Sequence, residues 1–167
     1  MGAMALTANR VSGIGRLLLC PDKYFEELDA RAGIRSPLMF LIICAAVCCA
    51  MSGLMEAWTQ PGPYLIRFAG SMAGPLVLTL LLYLATLVLC PAGMTLGELF
   101  TIVAYSNVTL LLAWIPGFGI FAGLWSYYLT IAGIAKVGKT GGWRAFGCVV
   151  LACAALFAAA RVLNLIG

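Results

Sequence analysis

The sequence predicts an all-α, polytopic membrane protein: five transmembrane helices preceded by an amphipathic N-terminal segment. Two observations carry this. The chain of 167 residues is 63% hydrophobic and only 10% charged, with a mean hydropathy of +1.06. A soluble domain holds about 25% charged residues and about 45–50% apolar ones. The apolar residues also come in long uncharged runs, of the kind that spans of about 20 residues each explain.

Residues 1–35 form the one sizeable polar stretch and are read as a cytoplasmic amphipathic segment, with 36–167 as the membrane domain. The opening residues lack a basic stretch followed by a long apolar core, so no cleavable signal peptide is expected. Val11, Ile14, Leu17 and Leu18 recur at helical spacing. Cys20-Pro21-Asp22 then starts a second short helix, since Pro suits the first helical position and an early acid suits the helix dipole. Its Tyr24, Phe25 and Leu28 share a face, so both pieces are expected to lie on the membrane surface.

Ser36-Pro37 opens the first span, which runs to about Met55 and is rich in small residues, among them Cys44, Ala45, Cys48 and Ser52. Trp58 and Gln60-Pro61-Gly62-Pro63-Tyr64 make an exit loop with an aromatic anchor. Phe68 to Gly97 is an uncharged run of 30 residues. The second span is placed at Leu76–Leu89, extended back towards Gly70 and kinked at Gly74-Pro75. Gly70 and Gly74 are spaced for close helix packing.

Leu99 to Ala135 is uncharged for 37 residues, enough for two spans. Its punctuation is Ile115-Pro116-Gly117-Phe118-Gly119, which predicts a hairpin folded at Gly117. Gly119 and Gly123 form a second small-residue pair. The last span runs from about Trp143 to Leu165, with Cys148, Ala152, Ala155 and Ala159 as a small stripe.

Charge sets the orientation. Five Lys or Arg residues precede the first span and three (Lys136, Lys139, Arg144) lie between the fourth and fifth, while Arg67 and Arg161 stand apart. An inside N-terminus puts eight of the ten basic residues on the inner side, so the positive-inside rule predicts N-in and C-out. The same asymmetry removes any need for a nucleic-acid partner.

Counting from Gly117 places Glu98 and Lys136 at one depth, 19 residues away on either arm. Glu98 is therefore expected to meet Lys136, Lys139 or a backbone amide and to clamp the open end of the hairpin. Asn107 and Tyr127 lie 10 residues from the turn, at about 15 Å depth. Tyr105, Ser106 and Asn107 would then share a mid-membrane polar belt with Ser126, Tyr127 and Tyr128. Such a belt is either hydrogen-bonding glue or a ligand site.

The seven cysteines include no CxxC pair and there is no His. Metal and haem centres built on His are excluded, no cofactor or metal site is expected, and disulfides are not expected within spans. With no HExxH, no GxSxG and no imidazole base, an enzyme is not expected.

Several ordered motifs resemble a known family. They are Pro21-Asp22-Lys23-Tyr24-Phe25, Ser36-Pro37-Leu38, Thr95 to Tyr105 as T-x-x-E-x-x-x-x-x-A-Y, Ile115-Pro116, Leu124-Trp125-Ser126 and Ile131-Ala132-Gly133. Together they are similar to the YIP (Ypt/Rab-interacting) domain family over about residues 18–165. The resemblance implies a five-span protein. The acidic Tyr-Gly-Pro motif of the eukaryotic branch is absent before the first span, and short termini fit the bacterial and archaeal branch, hence a cytoplasmic (inner) membrane. Members often carry Pro soon after the Tyr-Ser pair, where Asn107-Val108 stands here, implying a less kinked helix. The resemblance implies a non-catalytic scaffold or partner-binding protein concerned with membrane organisation or trafficking-like processes. The polar belt leaves a small transporter, channel or lipid-handling protein as the alternative. Membrane lipids, a protein partner and a second copy of the chain are the partners expected.

Overall fold

The computed structural model describes residues 15–28, 33–56, 64–90, 93–113, 115 and 117–166. Val11 and Ile14, the exit loop at 57–63 and Pro116 lie outside them. Among the described residues all regular structure is helical. Five helices are long and apolar enough to cross a membrane. In order these are Arg35–Glu56, Tyr64–Leu89, Leu96–Ser106 continued by Asn107–Thr109 and Leu110–Ala113, Gly119–Val137 and Gly142–Ile166. A short helix, Pro21–Glu27, precedes them and is called the surface helix below.

The third span is the axis. Of its membrane window 56% is buried, against 22–33% for the other four. It touches the first, second and fourth spans, while the fifth packs against the second and fourth. The buried core therefore runs along it: Leu99, Ile102, Val103 and Val108 meet Leu82 of the second span and Leu129 and Ile134 of the fourth. The outer faces carry exposed apolar residues such as Leu84, Leu87, Ile120 and Phe157. A soluble bundle shares the apolar core but carries polar outer faces, so these apolar ones suit a lipid surround.

The second helix is longer than expected, starting at Tyr64 and passing through Gly74-Pro75 without a break. Side-chain hydroxyls supply extra backbone hydrogen bonds around the proline. Ser71 donates to the Phe68 carbonyl at 2.8 Å and Thr79 to the Pro75 carbonyl at 2.7 Å.

The third span departs from expectation in the opposite sense. No proline follows Tyr105-Ser106, yet the helix tightens into a 3₁₀ turn over Asn107–Thr109. The reason is local. The Asn107 amide donates to the Val103 carbonyl at 2.7 Å, one turn back. That carbonyl also receives the Asn107 backbone N–H, and Thr109 donates to the Ser106 carbonyl at 3.3 Å. Asn and Thr side chains compete in this way for backbone acceptors.

The hairpin closes through Ile115, whose carbonyl accepts the Phe118 N–H at 3.0 Å. Gly117 holds φ +80°, the left-handed conformation that a type II turn needs at its third residue. The fourth span starts two residues later.

The tightest close approach is at Gly133. A Cβ there would run into Ile102 and stand 3.2 Å from Cε1 of Phe25. Phe25 is 1% exposed, as is Leu17 just before the helix, so the surface helix and the residues leading into it share the core of the spans. Its apolar face, expected on lipid, faces the bundle instead, because the notch at Gly133 offers a better-fitting apolar surface. Gly133→Leu should overfill this site and cost about 1–3 kcal/mol. Thermal melts in detergent check it: a large drop in Tm is expected for Gly133→Leu and little change for Gly74→Ala, where a Cβ meets nothing within 4 Å.

Candidate functional site

The surface helix begins as its sequence predicts, with Pro21 in the first turn and Asp22 beside it. Seven residues are too few to hold a helix in water unaided, so tertiary contacts hold it. Its neighbour is the fourth span. Phe25 enters the Gly133 notch, and Tyr24 stands edge-on to Phe25 at 5.7 Å and to Tyr105 of the third span at 5.8 Å. Tyr105 in turn meets Phe40 of the first span at 5.1 Å. Its hydroxyl lies 3.4 Å from that of Ser36, at the mouth of that span. Edge-to-face aromatic pairs add roughly 0.5–1.5 kcal/mol each beyond area burial. Burial, and secondarily Tyr105, pushes the Tyr24 phenol up to about 12, so it stays neutral at physiological pH.

Charges fasten the rim. The Lys136 ammonium donates to Glu26 at 2.6 Å, with Asp22 at 3.9 Å. Arg16 donates to both carboxylate oxygens of Glu27 at 3.0 Å. The lysine expected opposite Glu98 thus pairs with the surface helix, because equal depth along a hairpin leaves azimuth undetermined. Lys139 sits exposed in the following turn with φ 48°.

Glu98 is buried at the start of the third span. Its Oε2 accepts the Thr95 N–H at 2.8 Å, and Thr95 Oγ1 accepts the Glu98 N–H at 3.2 Å. This reciprocal capping box satisfies two donors that the helix start would otherwise leave open. The T-x-x-E spacing of Thr95 and Glu98 is its sequence signature, which counting depth along the hairpin overlooks.

The polar belt divides. Ser106 is fully buried, and its hydroxyl has no hydrogen-bond partner among the described residues. Asn107 is engaged with Val103, and Tyr105 reaches the first span rather than the fourth. On the fourth span, Ser126 accepts the Thr130 hydroxyl through its carbonyl at 2.9 Å. Tyr128, 44% exposed, packs against Trp125, while Tyr127, 39% exposed, hydrogen-bonds Cys153 of the last span. The small-residue positions are mostly open. A Cβ added at Gly70, Gly74 or Gly123 would meet nothing within 4 Å, and one at Gly119 only the Ala113 carbonyl at 3.4 Å. Close packing inside the chain is made by Gly133 and Gly138 instead; a Cβ on Gly138 would lie 2.6 Å from the Met94 sulfur. The small stripe of the last span likewise divides, with Cys148 and Ala152 buried and Ala155 and Ala159 exposed. Among the described residues no cluster of three or more His, Cys, Asp or Glu could hold a metal ion.

One aromatic plug and the ion pairs of Lys136 thus hold the surface helix on the five-span bundle. The Yip1 domain family model matches residues 15–163. The chain belongs to this family. No curated protein and no solved structure matches it. The match begins at residue 15, so the Yip1 domain takes in the surface helix along with all five spans. Gly133 of the Ile131-Ala132-Gly133 motif is the residue that receives that helix. Tyr24 and Phe25 from the Pro21-to-Phe25 motif are what it receives.

The rim pair is testable by a double-mutant cycle on the Yip1 domain. Lys136→Gln and Glu26→Gln should each lower Tm in detergent. Together they should lose no more than the larger single change, because both remove one interaction. The effect should fade in high salt, since the pair is half-exposed. Additive losses, unchanged by salt, would reject the pairing.

Proposed function

We propose that this Yip1 domain is a non-catalytic membrane scaffold or partner-binding protein of the prokaryotic cytoplasmic membrane, with its N-terminus inside and its C-terminus outside. It organises membrane through lipid contact and a protein partner, and it self-associates through the open faces at Gly70 and Gly74. The observation that supports this reading best is how the third span uses its polar groups. Thr101 donates to the Gly97 carbonyl, Asn107 to Val103 and Thr109 to Ser106, all within the same span. Polar side chains bonded back onto their own helix are already engaged and are not offered as a lining for solute. Lys23 and Trp143, both exposed at the end that carries most of the positive charge, present a partner surface there.

One observation favours a second reading. The unpartnered buried hydroxyl of Ser106 lies beside the 3₁₀ turn. An unengaged hydroxyl beside a break in regular helix is what a small transporter or lipid-handling protein would use.

Photo-crosslinkers placed at Lys23 and Trp143 in native membranes separate the two. Discrete bands with a protein partner or a second copy are expected. Lipid adducts alone, together with solute flux in reconstituted vesicles, would overturn the scaffold reading. Orientation has its own check. A reporter active outside the cell should work when fused to Gly167, and one active in the cytoplasm should work in the 139–142 loop. A C-terminal fusion active in the cytoplasm would reject the assignment.

A further inference from the structure

The thiols of Cys90 and Cys148 face each other across two helices, Sγ to Sγ 3.5 Å, and both are buried. Cys90 closes the second span, and Cys148 lies six residues into the last span, about 9 Å along it. Ala85 completes the cluster around them. All seven cysteines are free, but their placement differs. Cys20 is exposed on the surface segment. Cys44 and Cys48 are one turn apart on a single helix, where Cβ atoms stand about 5–6 Å apart. A disulfide needs Cβ atoms about 3.5–4.5 Å apart, so that pair is poorly placed. Cys90 and Cys148 need only close their sulfurs by about 1.5 Å to reach the bonded distance.

We propose that Cys90 and Cys148 form a reversible dithiol–disulfide switch closed by hydrogen peroxide. The Cys90 sulfur attacks one peroxide oxygen, and its proton passes to the oxygen that departs. The O–O bond breaks, water leaves, and a sulfenic acid remains on Cys90. The Cys148 sulfur then attacks that sulfur, the S–O bond breaks, and a second water leaves. Overall two thiols and one peroxide give one disulfide and two waters: sulfur is oxidised and peroxide oxygen reduced. A dithiol reductant reverses the change by thiol–disulfide exchange through a mixed disulfide. Intracellular disulfides that do occur are typically transient and redox-sensing. Peroxide is small and uncharged, so the apolar setting does not bar it as it would a charged oxidant.

The consequence is mechanical. The two cysteines are 58 residues apart, and the intervening chain contains the whole third and fourth spans. Closing the bond encloses the central span in a covalent ring and fixes the second span to the last at one membrane edge. The third span's capping box starts five residues after Cys90, so the ring also tethers that helix start.

The test uses the full chain in detergent and in native membranes. After peroxide, alkylation of free thiols, denaturation and proteolysis, a peptide joining Cys90 to Cys148 is expected, lighter than its parts by two hydrogens and reversible by dithiothreitol. It should vanish in Cys90→Ala and in Cys148→Ser, and persist in Cys44→Ala. Oxidation should raise Tm in the parent protein and in Cys44→Ala. The peptide map of the parent protein decides the matter even if a cysteine variant folds poorly. The proposal is overturned if peroxide that oxidises Cys20 leaves both Cys90 and Cys148 open to alkylation after denaturation. It is equally overturned if both end as sulfinic acids with no joined peptide.

Discussion

A helix surrounded by hydrocarbon gains little by hiding leucine from lipid, since the tails are as apolar as the side chain. What holds this bundle is therefore fit. The third span packs on three neighbours at once, and its residues 98–104 are buried without a gap. Each contact adds a small dispersion energy, and the sum depends on close approach. That is why the glycine that counts is Gly133, against which Ile102 and Phe25 both lie. Gly70 and Gly74, spaced as a packing motif, face no atom of their own chain within 4 Å of where a side chain would begin.

The surface helix obeys a different rule, because part of its alternative is water. Moving Phe25 out of the aqueous edge and into the bundle gains on the order of 1.5–3 kcal/mol by the ordinary hydrophobic effect. The ion pairs around it, half-exposed, contribute orientation more than energy. The junction is thus built from water-side chemistry on top of a membrane-side frame. Tyr24, Tyr105 and Phe40 form the seam between them.

The five spans and the turn at Gly117 are legible because hydropathy runs and a Pro-Gly pair are local signals. So is the family, from motifs whose order along the chain is informative. The start of the second helix is not, because Pro75 has the look of a boundary and nothing local announces that the helix continues back to Tyr64. The 3₁₀ turn at Asn107–Thr109 is hidden because an Asn amide bonded to its own helix substitutes for the missing proline. The partner of Lys136 is out of reach for a geometric reason. Counting residues along a hairpin yields depth, whereas partners are chosen by rotation about the helix axis. Glu26, its closest partner, comes from 110 residues away.

That last distance bears on how the molecule is made. The surface helix leaves the ribosome before every span, and its notch at Gly133 and its counter-charge at Lys136 are translated more than a hundred residues later. At about 5–20 residues per second the delay is roughly 5–22 s. Throughout it Phe25 and Leu17 must wait at the membrane face without their native seat. Arrival of the fourth span ends the wait, since that span carries the surface helix's seat. A segment made before every span is thus among the last to find its place.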